Sequence, residues 1–218
     1  MDAFHERLAQ VALRAASGLG FALAGGYAVQ AHGFLTRPSE DIDLFTSAER
    51  TDFRDGVTAI ESAYEQNGIA VRVDVCSDHF ARLWVTDTVS GQSGKVELAA
   101  DIRSKAPVTM NIGPVVHVDD VAGGKMEALF TRAEARDFID IDAIVTSGRF
   151  TRTSLQELAA TRDAGFDLRV LADMLSVIEI YPDAEFSAYG LHGDQIQQMR
   201  ERFADWRSEL LQPGPNGA

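Results

Sequence analysis

Cysteine is nearly absent. Cys76 is the only one in 218 residues, which rules out an internal disulfide and a cysteine-built zinc cluster and fits a reducing cytoplasm. Basic residues are scarce as well: 20 Lys and Arg against 33 Asp and Glu leave a net charge of −13. A surface of that sign does not hold nucleic acid by bulk attraction, because phosphate contacts need clustered cations. It suits solubility or a basic partner protein. No apolar run approaches 18 residues and no signal-peptide pattern is found, so the chain reads as neither membrane-spanning nor exported. Repeats and low-complexity segments are missing. The five histidines (5, 32, 79, 117, 192) keep no metal-ligand spacing. Nor is there a Walker-type phosphate loop, since Gly124-Lys125 is followed by Met126 and Asp119 stands where the first glycine belongs.

What the chain does have is an ordinary globular composition, 45% apolar and 24% charged, at a length that allows one large domain or two small ones. Its most informative stretch is Ala24 to Phe45, A-G-G-Y-A-V-Q-A-H-G-F-L-T-R-P-S-E-D-I-D-L-F. Phe21 to Ala24 read as a short buried strand, Gly25-Gly26 as a turn, Tyr27 to His32 as a brief apolar helix, and the run carrying Asp41 and Asp43 as a second strand. Successive strand side chains alternate faces, so Asp41 and Asp43 share one face and Ile42 and Leu44 the other. Their Cα atoms then lie about 7 Å apart. Two carboxylates side by side repel, and a cation between them relieves this. Oxygen-only ligands suit Mg²⁺, which binds through one or two carboxylates plus substrate phosphates. The glycine pair lets backbone approach a phosphate closely. Either half alone is more often plain structure; in strand–turn–helix–loop–strand order they point to a nucleoside triphosphate site.

These residues carry a resemblance. Gly25-Gly26, Arg37, Ser39 and Asp41-Ile42-Asp43 resemble the signature of the DNA polymerase β-type nucleotidyltransferase superfamily. The form G-G-Y-A-V…H-G…R…D-I-D-L-F is similar to its AbiEii/MenT branch, toxins of bacterial toxin–antitoxin systems. The resemblance implies transfer of NMP from an NTP to an acceptor hydroxyl, with a pair of Mg²⁺ ions on Asp41, Asp43 and a third carboxylate. Glu97, in K-V-E-L-A-A-D, matches that third position; Asp101 is the runner-up, and Asp74 is a candidate by chemistry alone. Tyr27 stands where the family carries Ser or Thr, which leaves backbone amides for the phosphates. A later run, K-x-x-A-L-x-x-R-x-x-x-R-D-x-x-D, resembles the branch's second motif. It implies that Lys125 contacts the triphosphate and that Arg132, Arg136 and Asp137 build the floor of the site, though the arginines read equally well as structural ion pairs. The branch implies tRNA 3′ ends as acceptor and a cognate antitoxin as partner. A protein or a small molecule such as an aminoglycoside is the alternative acceptor, and a non-catalytic nucleotide- or partner-binding protein is the rival reading.

Around these motifs the pattern predicts an α+β protein. A polymerase β-like core of mixed sheet and helices fills residues 1–118, a helical half 119–211, and a flexible tail 212–218. Helices are expected at Phe4–Ala15 and Ala48–Asn67, and strands at Ile69–Cys76, Phe80–Thr86 and Lys95–Asp101. A strand pair or an edge strand is expected in 108–118. On one continuous helix through 119–145, Lys125, Leu129, Arg132 and Arg136 fall on a single stripe, with Arg136–Asp140 as an i, i+4 pair. Further helices are expected at Thr151–Ala164, Asp167–Ile180 and Asp194–Leu211.

Overall fold

The computed structural model describes residues 1–212; from residue 213 on, the expected tail lies outside the described residues. The described chain divides into two compact units, residues 1–33 with 38–121, and residues 34–37 with the described residues from 122 onward.

The first unit is a mixed seven-stranded sheet with helices. In chain order it comprises α1 (Ala3–Ala15), β1 (Ala22–Leu23), α2 (Gly25–Ala31), β2 (Asp41–Ser47), α3 (Phe53–Gln66), β3 (Ile69–Cys76), β4 (Phe80–Asp87), β5 (Ser93–Asp101), β6 (Val108–Met110) and β7 (Gly113–Val115). The strand order is β3-β4-β5-β2-β1-β7-β6, with β2–β5 and β1–β7 parallel and the other pairs antiparallel. Alternation builds the core. Ile42 and Leu44 of β2 align with Val96 and Leu98 of β5, which align in turn with Leu83 and Ala81 of β4; all six are 0% exposed. Each large aliphatic side chain so buried contributes roughly 1.5–3 kcal/mol.

Helices α1 and α3 pack against each other, α1 on β2 and α3 on β3. Asp2 caps α1, its Oδ1 accepting from the His5 N–H. The buried Tyr64 hydroxyl of α3 donates to the Leu8 carbonyl at 3.1 Å. Burial pushes that phenol well above its usual range, so it serves as a fixed donor. Helix α3 begins at Phe53 rather than Ala48, because Arg50 closes a turn on Asp52 (Nε–Oδ1 2.8 Å). β3 is an edge strand, and Val73 and Val75 are each 43% exposed.

The second unit is helical. α4 runs Val118–Thr131, so the boundary between the units falls within it; α5 (Ala135–Thr146), α6 (Arg152–Arg162), α7 (Leu168–Ser176), a 3₁₀ turn (Val177–Ile180), α8 (Asp183–Ser187) and α9 (Gly193–Leu211) follow. Its core joins Met126, Leu129, Phe138, Leu171, Phe186 and Phe203, among others. Phe138 meets Phe203 edge-on at 5.1 Å.

The expected continuous helix is broken. Ala133 adopts φ +50°, and α5 starts afresh with Asp137 Oδ2 accepting from the Glu134 N–H at 3.1 Å. The stripe of Lys125, Arg132 and Arg136 therefore does not form, and the expected Arg136–Asp140 pair is replaced: Arg136 pairs with Glu134 at 2.8 Å. Leu168, at the start of α7, is 46% exposed, and α8 had no clear sequence signal. Among the described residues no helix is long and apolar enough to cross a membrane.

Candidate active site

The buried face of the sheet dictates the chemistry of its other face. With Ile42 and Leu44 committed to the core, Asp41 and Asp43 emerge together on the opposite side of β2. Register then supplies their neighbours: Asp43 lies opposite Glu97, which lies opposite Arg82, and Asp41 lies opposite Lys95, which lies opposite Trp84. The result is two adjacent rows of charge, neither buried nor fully open.

Glu97 Oε1 accepts from Arg82 Nε at 2.8 Å and lies 3.2 Å from Lys95 Nζ, which lies 2.9 Å from Asp41 Oδ2. Burial pushes the Glu97 carboxyl up, but the Arg82 hydrogen bond and the Lys95 charge outweigh it, and the group sits below its ordinary value. Burial likewise lowers Lys95, while Asp41 and Glu97 together raise it above its ordinary value. Arg82 also lies 3.9 Å from Asp74, which sits where β3 slips register between Val73 and Val75. Asp101 is opposite Ser47, four strand positions beyond Glu97 and so roughly 13 Å along the strand. Its Oδ1 accepts from the Ile102 N–H.

Gly25 belongs to the same place. Its φ is +57°, and a Cβ there would lie 1.7 Å from Asp43 Oδ2. The Ala24 N–H donates to the Asp43 carbonyl at 2.8 Å. The start of α2, which includes the glycine pair expected as a separate turn, is thus set against the second aspartate by backbone bonding and by the absence of a side chain. Gly26 and Tyr27 follow in the first turn of α2, both buried. The Tyr27 hydroxyl donates to the Ser39 carbonyl (2.9 Å) and lies 2.7 Å from His5 Nδ1. Its ring ties α2 to the loop before β2, and Ser39 enters this network through its backbone.

The remaining candidates lie in the second unit. Arg37 and Lys125 both hold Asp140, which is 0% exposed: Arg37 Nε and Nη2 donate to Oδ1 and Oδ2 at 2.6 and 2.7 Å, and Lys125 Nζ lies 2.7 Å from Oδ2. Burial pushes the Asp140 carboxyl up, but Lys125 and Arg37 overcome this and hold it below its ordinary value. The Arg37 guanidinium lies 5.4 Å from the Tyr189 ring centroid. Arg37 also lines a cavity of about 460 Å³ with Phe34, Tyr189, Gln198 and Arg202. Arg132 makes a bidentate pair with the buried Asp137, both contacts 2.9 Å. Arg132 and Asp137 therefore brace the corner between α4 and α5. Sequence reasoning left Lys95, Arg82 and Asp140 out of the site. The spacing K-x-E already put Lys95 on the face of Glu97; Arg82 and Asp140 required the strand register and the tertiary fold.

Among the described residues, no group of three or more His, Cys, Asp or Glu is arranged to hold a metal ion. Glu97 is turned to Arg82 and Lys95. The pair Asp41 and Asp43 fits a hard divalent cation by donor chemistry: oxygen only, adjacent, on one strand face and partly open to solvent.

The same architecture recurs in solved nucleotidyltransferase structures. MenT4, a nucleotidyltransferase toxin from Mycobacterium tuberculosis H37Rv, is similar over 94% of this chain and 83% of its own, with a TM-score of 0.60 at 16% identity. JHP933 from Helicobacter pylori is similar over 94% of this chain and 91% of its own, with a TM-score of 0.56 at 18% identity. The fold is that of a nucleotidyltransferase. A family model, the nucleotidyl transferase AbiEii toxins of type IV toxin–antitoxin systems, matches residues 7–212, and the chain belongs to that family. No curated protein matches it.

Proposed function

We propose that this nucleotidyltransferase moves NMP from an NTP to an acceptor hydroxyl at the carboxylate face of β2 and β5, the acceptor oxygen bonding to the α-phosphorus as the α–β phosphoanhydride bond breaks and pyrophosphate leaves, and that the acceptor is the 3′ end of a tRNA. The observation that carries the reading is the alignment of Asp43 with Glu97 across parallel strands, with Asp41 two residues before and Gly25 backed against Asp43. Asp41 and Asp43 would hold Mg²⁺. The ion, when bound, lowers the pKa of the acceptor hydroxyl and neutralises triphosphate charge. Glu97 is the third carboxylate and takes the acceptor's proton; Arg82 and Lys95 hold its carboxyl ionised and ready to do so. The close backbone at Gly25-Gly26 leaves room for phosphate oxygens beside Asp43. Lys125, its ammonium fixed by Asp140, supplies positive charge to the triphosphate. Arg37, fixed by the same carboxylate, supports Lys125. In the second unit, Arg132 and Asp137 serve by shaping α5, and Arg136 joins them through Glu134. Positioning and charge neutralisation provide most of the acceleration. Membership of a toxin–antitoxin family supports a cytoplasmic role and a cognate antitoxin.

The test is incubation with each α-labelled NTP and Mg²⁺ against separate pools of tRNA, protein and aminoglycosides. Label on tRNA that is lost in Asp41→Ala and Asp43→Ala supports the reading. Label on protein or aminoglycoside replaces the acceptor, and wild-type labelling by both variants refutes the site.

A further inference from the structure

We propose that Lys95 is a positioning residue of this site: its ammonium is a built-in counter-cation for Asp41 and Glu97, and it sets how tightly the face takes a divalent ion. The inference rests on the ion reading given above.

Lys95 lies directly opposite Asp41 in the parallel register, and its Nζ reaches Asp41 Oδ2 at 2.9 Å and Glu97 Oε1 at 3.2 Å. The three side chains are only 16–23% exposed, so solvent screens their interaction incompletely. Around the cations Lys95 and Arg82 stand the carboxylates Asp41, Asp43 and Glu97, with Asp74 3.9 Å from Arg82. Two consequences follow. The ammonium draws Asp41 and Glu97 toward one point, although they are attached to different strands and repel each other. It also holds one oxygen of Asp41, Oδ2, at 2.9 Å, and a divalent ion at Asp41 and Asp43 must work against a positive charge a few ångströms away. The same lysine that assembles the carboxylates therefore holds their ion affinity down. Arg82 does not duplicate this role: it holds Glu97 at 2.8 Å, and its second carboxylate neighbour is Asp74 of β3 at 3.9 Å.

The experiment titrates Mn²⁺ alone, without nucleotide, into the full-length wild type, Lys95→Met and Lys95→Arg, followed by calorimetry and by the electron paramagnetic resonance of free Mn²⁺. Lys95→Met should bind Mn²⁺ about tenfold more tightly, and Lys95→Arg, which keeps the charge, should stay within about threefold of wild type. Lys95→Met binding no tighter than wild type overturns the inference. If Lys95→Met does not give a cooperative thermal melt, Lys95→Gln replaces it with the same expectation. Asp43→Ala separates the two layers of argument. Wild-type binding that is lost in Asp43→Ala but unchanged in Lys95→Met sinks this inference alone. Wild-type binding that is absent, or indifferent to Asp43→Ala, sinks the ion reading and this inference with it.

Discussion

Arg37 and Asp140 stand 103 residues apart in sequence and form a two-point ion pair with both side chains out of water, at 2.6 and 2.7 Å. Lys125 closes on the same carboxylate. Removing one member of a buried pair leaves the others charged and unsatisfied, which costs about 3–5 kcal/mol. Asp140→Asn should therefore lower the urea midpoint by an amount corresponding to that loss at unchanged slope. Arg37→Lys keeps a charge but not the fork, and it should fall between wild type and Asp140→Asn. An Asp140→Asn midpoint within experimental error of wild type would show that the cluster does not hold the second unit together.

Gly25 lets the substitution be read against a matched control. Alanine there meets Asp43 Oδ2 at 1.7 Å and the carboxyl carbon at 2.5 Å, on top of a φ of +57°. Gly33 has a φ of +77° and nothing within 4 Å, so Gly33→Ala incurs the backbone strain alone, roughly 1–2 kcal/mol. Gly33→Ala should lose that stability and keep NMP transfer within about threefold. Gly25→Ala should lose transfer by about 100-fold or more, because the carboxylate must move. Equal activities in a transfer assay would remove Gly25 from the site.

Much of this face is legible in the sequence. Period-two alternation in D-I-D-L-F and K-V-E-L separates core from charge because each strand has one buried side, whereas the glycine pair, which reads as a turn before a helix at Tyr27, opens the helix itself, α2 running Gly25–Ala31. The corner at Ala133 was not legible: T-R-A-E-A-R contains no glycine or proline, and the break is fixed by Arg132 and Asp137 bonding across it. Nor was the partner of Asp140. Its i, i+4 neighbour Arg136 offered a local pair, but a buried carboxylate is satisfied by whichever cations the tertiary fold brings to it. Val73 and Val75 alternate like core residues and yet are well exposed, since periodicity reports a face and not what covers it.

The third carboxylate can be decided by position along β5. Glu97 is level with Asp43, and Asp101 is level with Ser47 at the other end of the pairing. Glu97→Gln should reduce kcat for NMP transfer by about 100-fold to 10,000-fold, the usual contribution of a general base, with a smaller change in KM for the NTP. Asp101→Asn should stay within about threefold of wild type. A reversed order would move the reacting centre to the far end of the strand.

Asp87 gives the fold a pH signature that is separate from the site. The N–H groups of Ser90 and Val89 and the guanidinium of Arg7 all point at its carboxylate, and its pKa is lowered from 3.8 to about 2, the Ser90 N–H being the largest cause and Arg7 the next. The charged form is the bonded one, so its stabilisation is complete above the unfolded pKa of about 4 and disappears as pH falls from there toward 2. Asp87→Asn abolishes that contribution at every pH. The variant should thus melt below the wild type at pH 6, and the gap between their melting temperatures should narrow by pH 3. Thermal melts followed by circular dichroism at the two pH values check this, and a gap that stays constant or widens on acidification would mean that the carboxylate is not held ionised by Ser90, Val89 and Arg7.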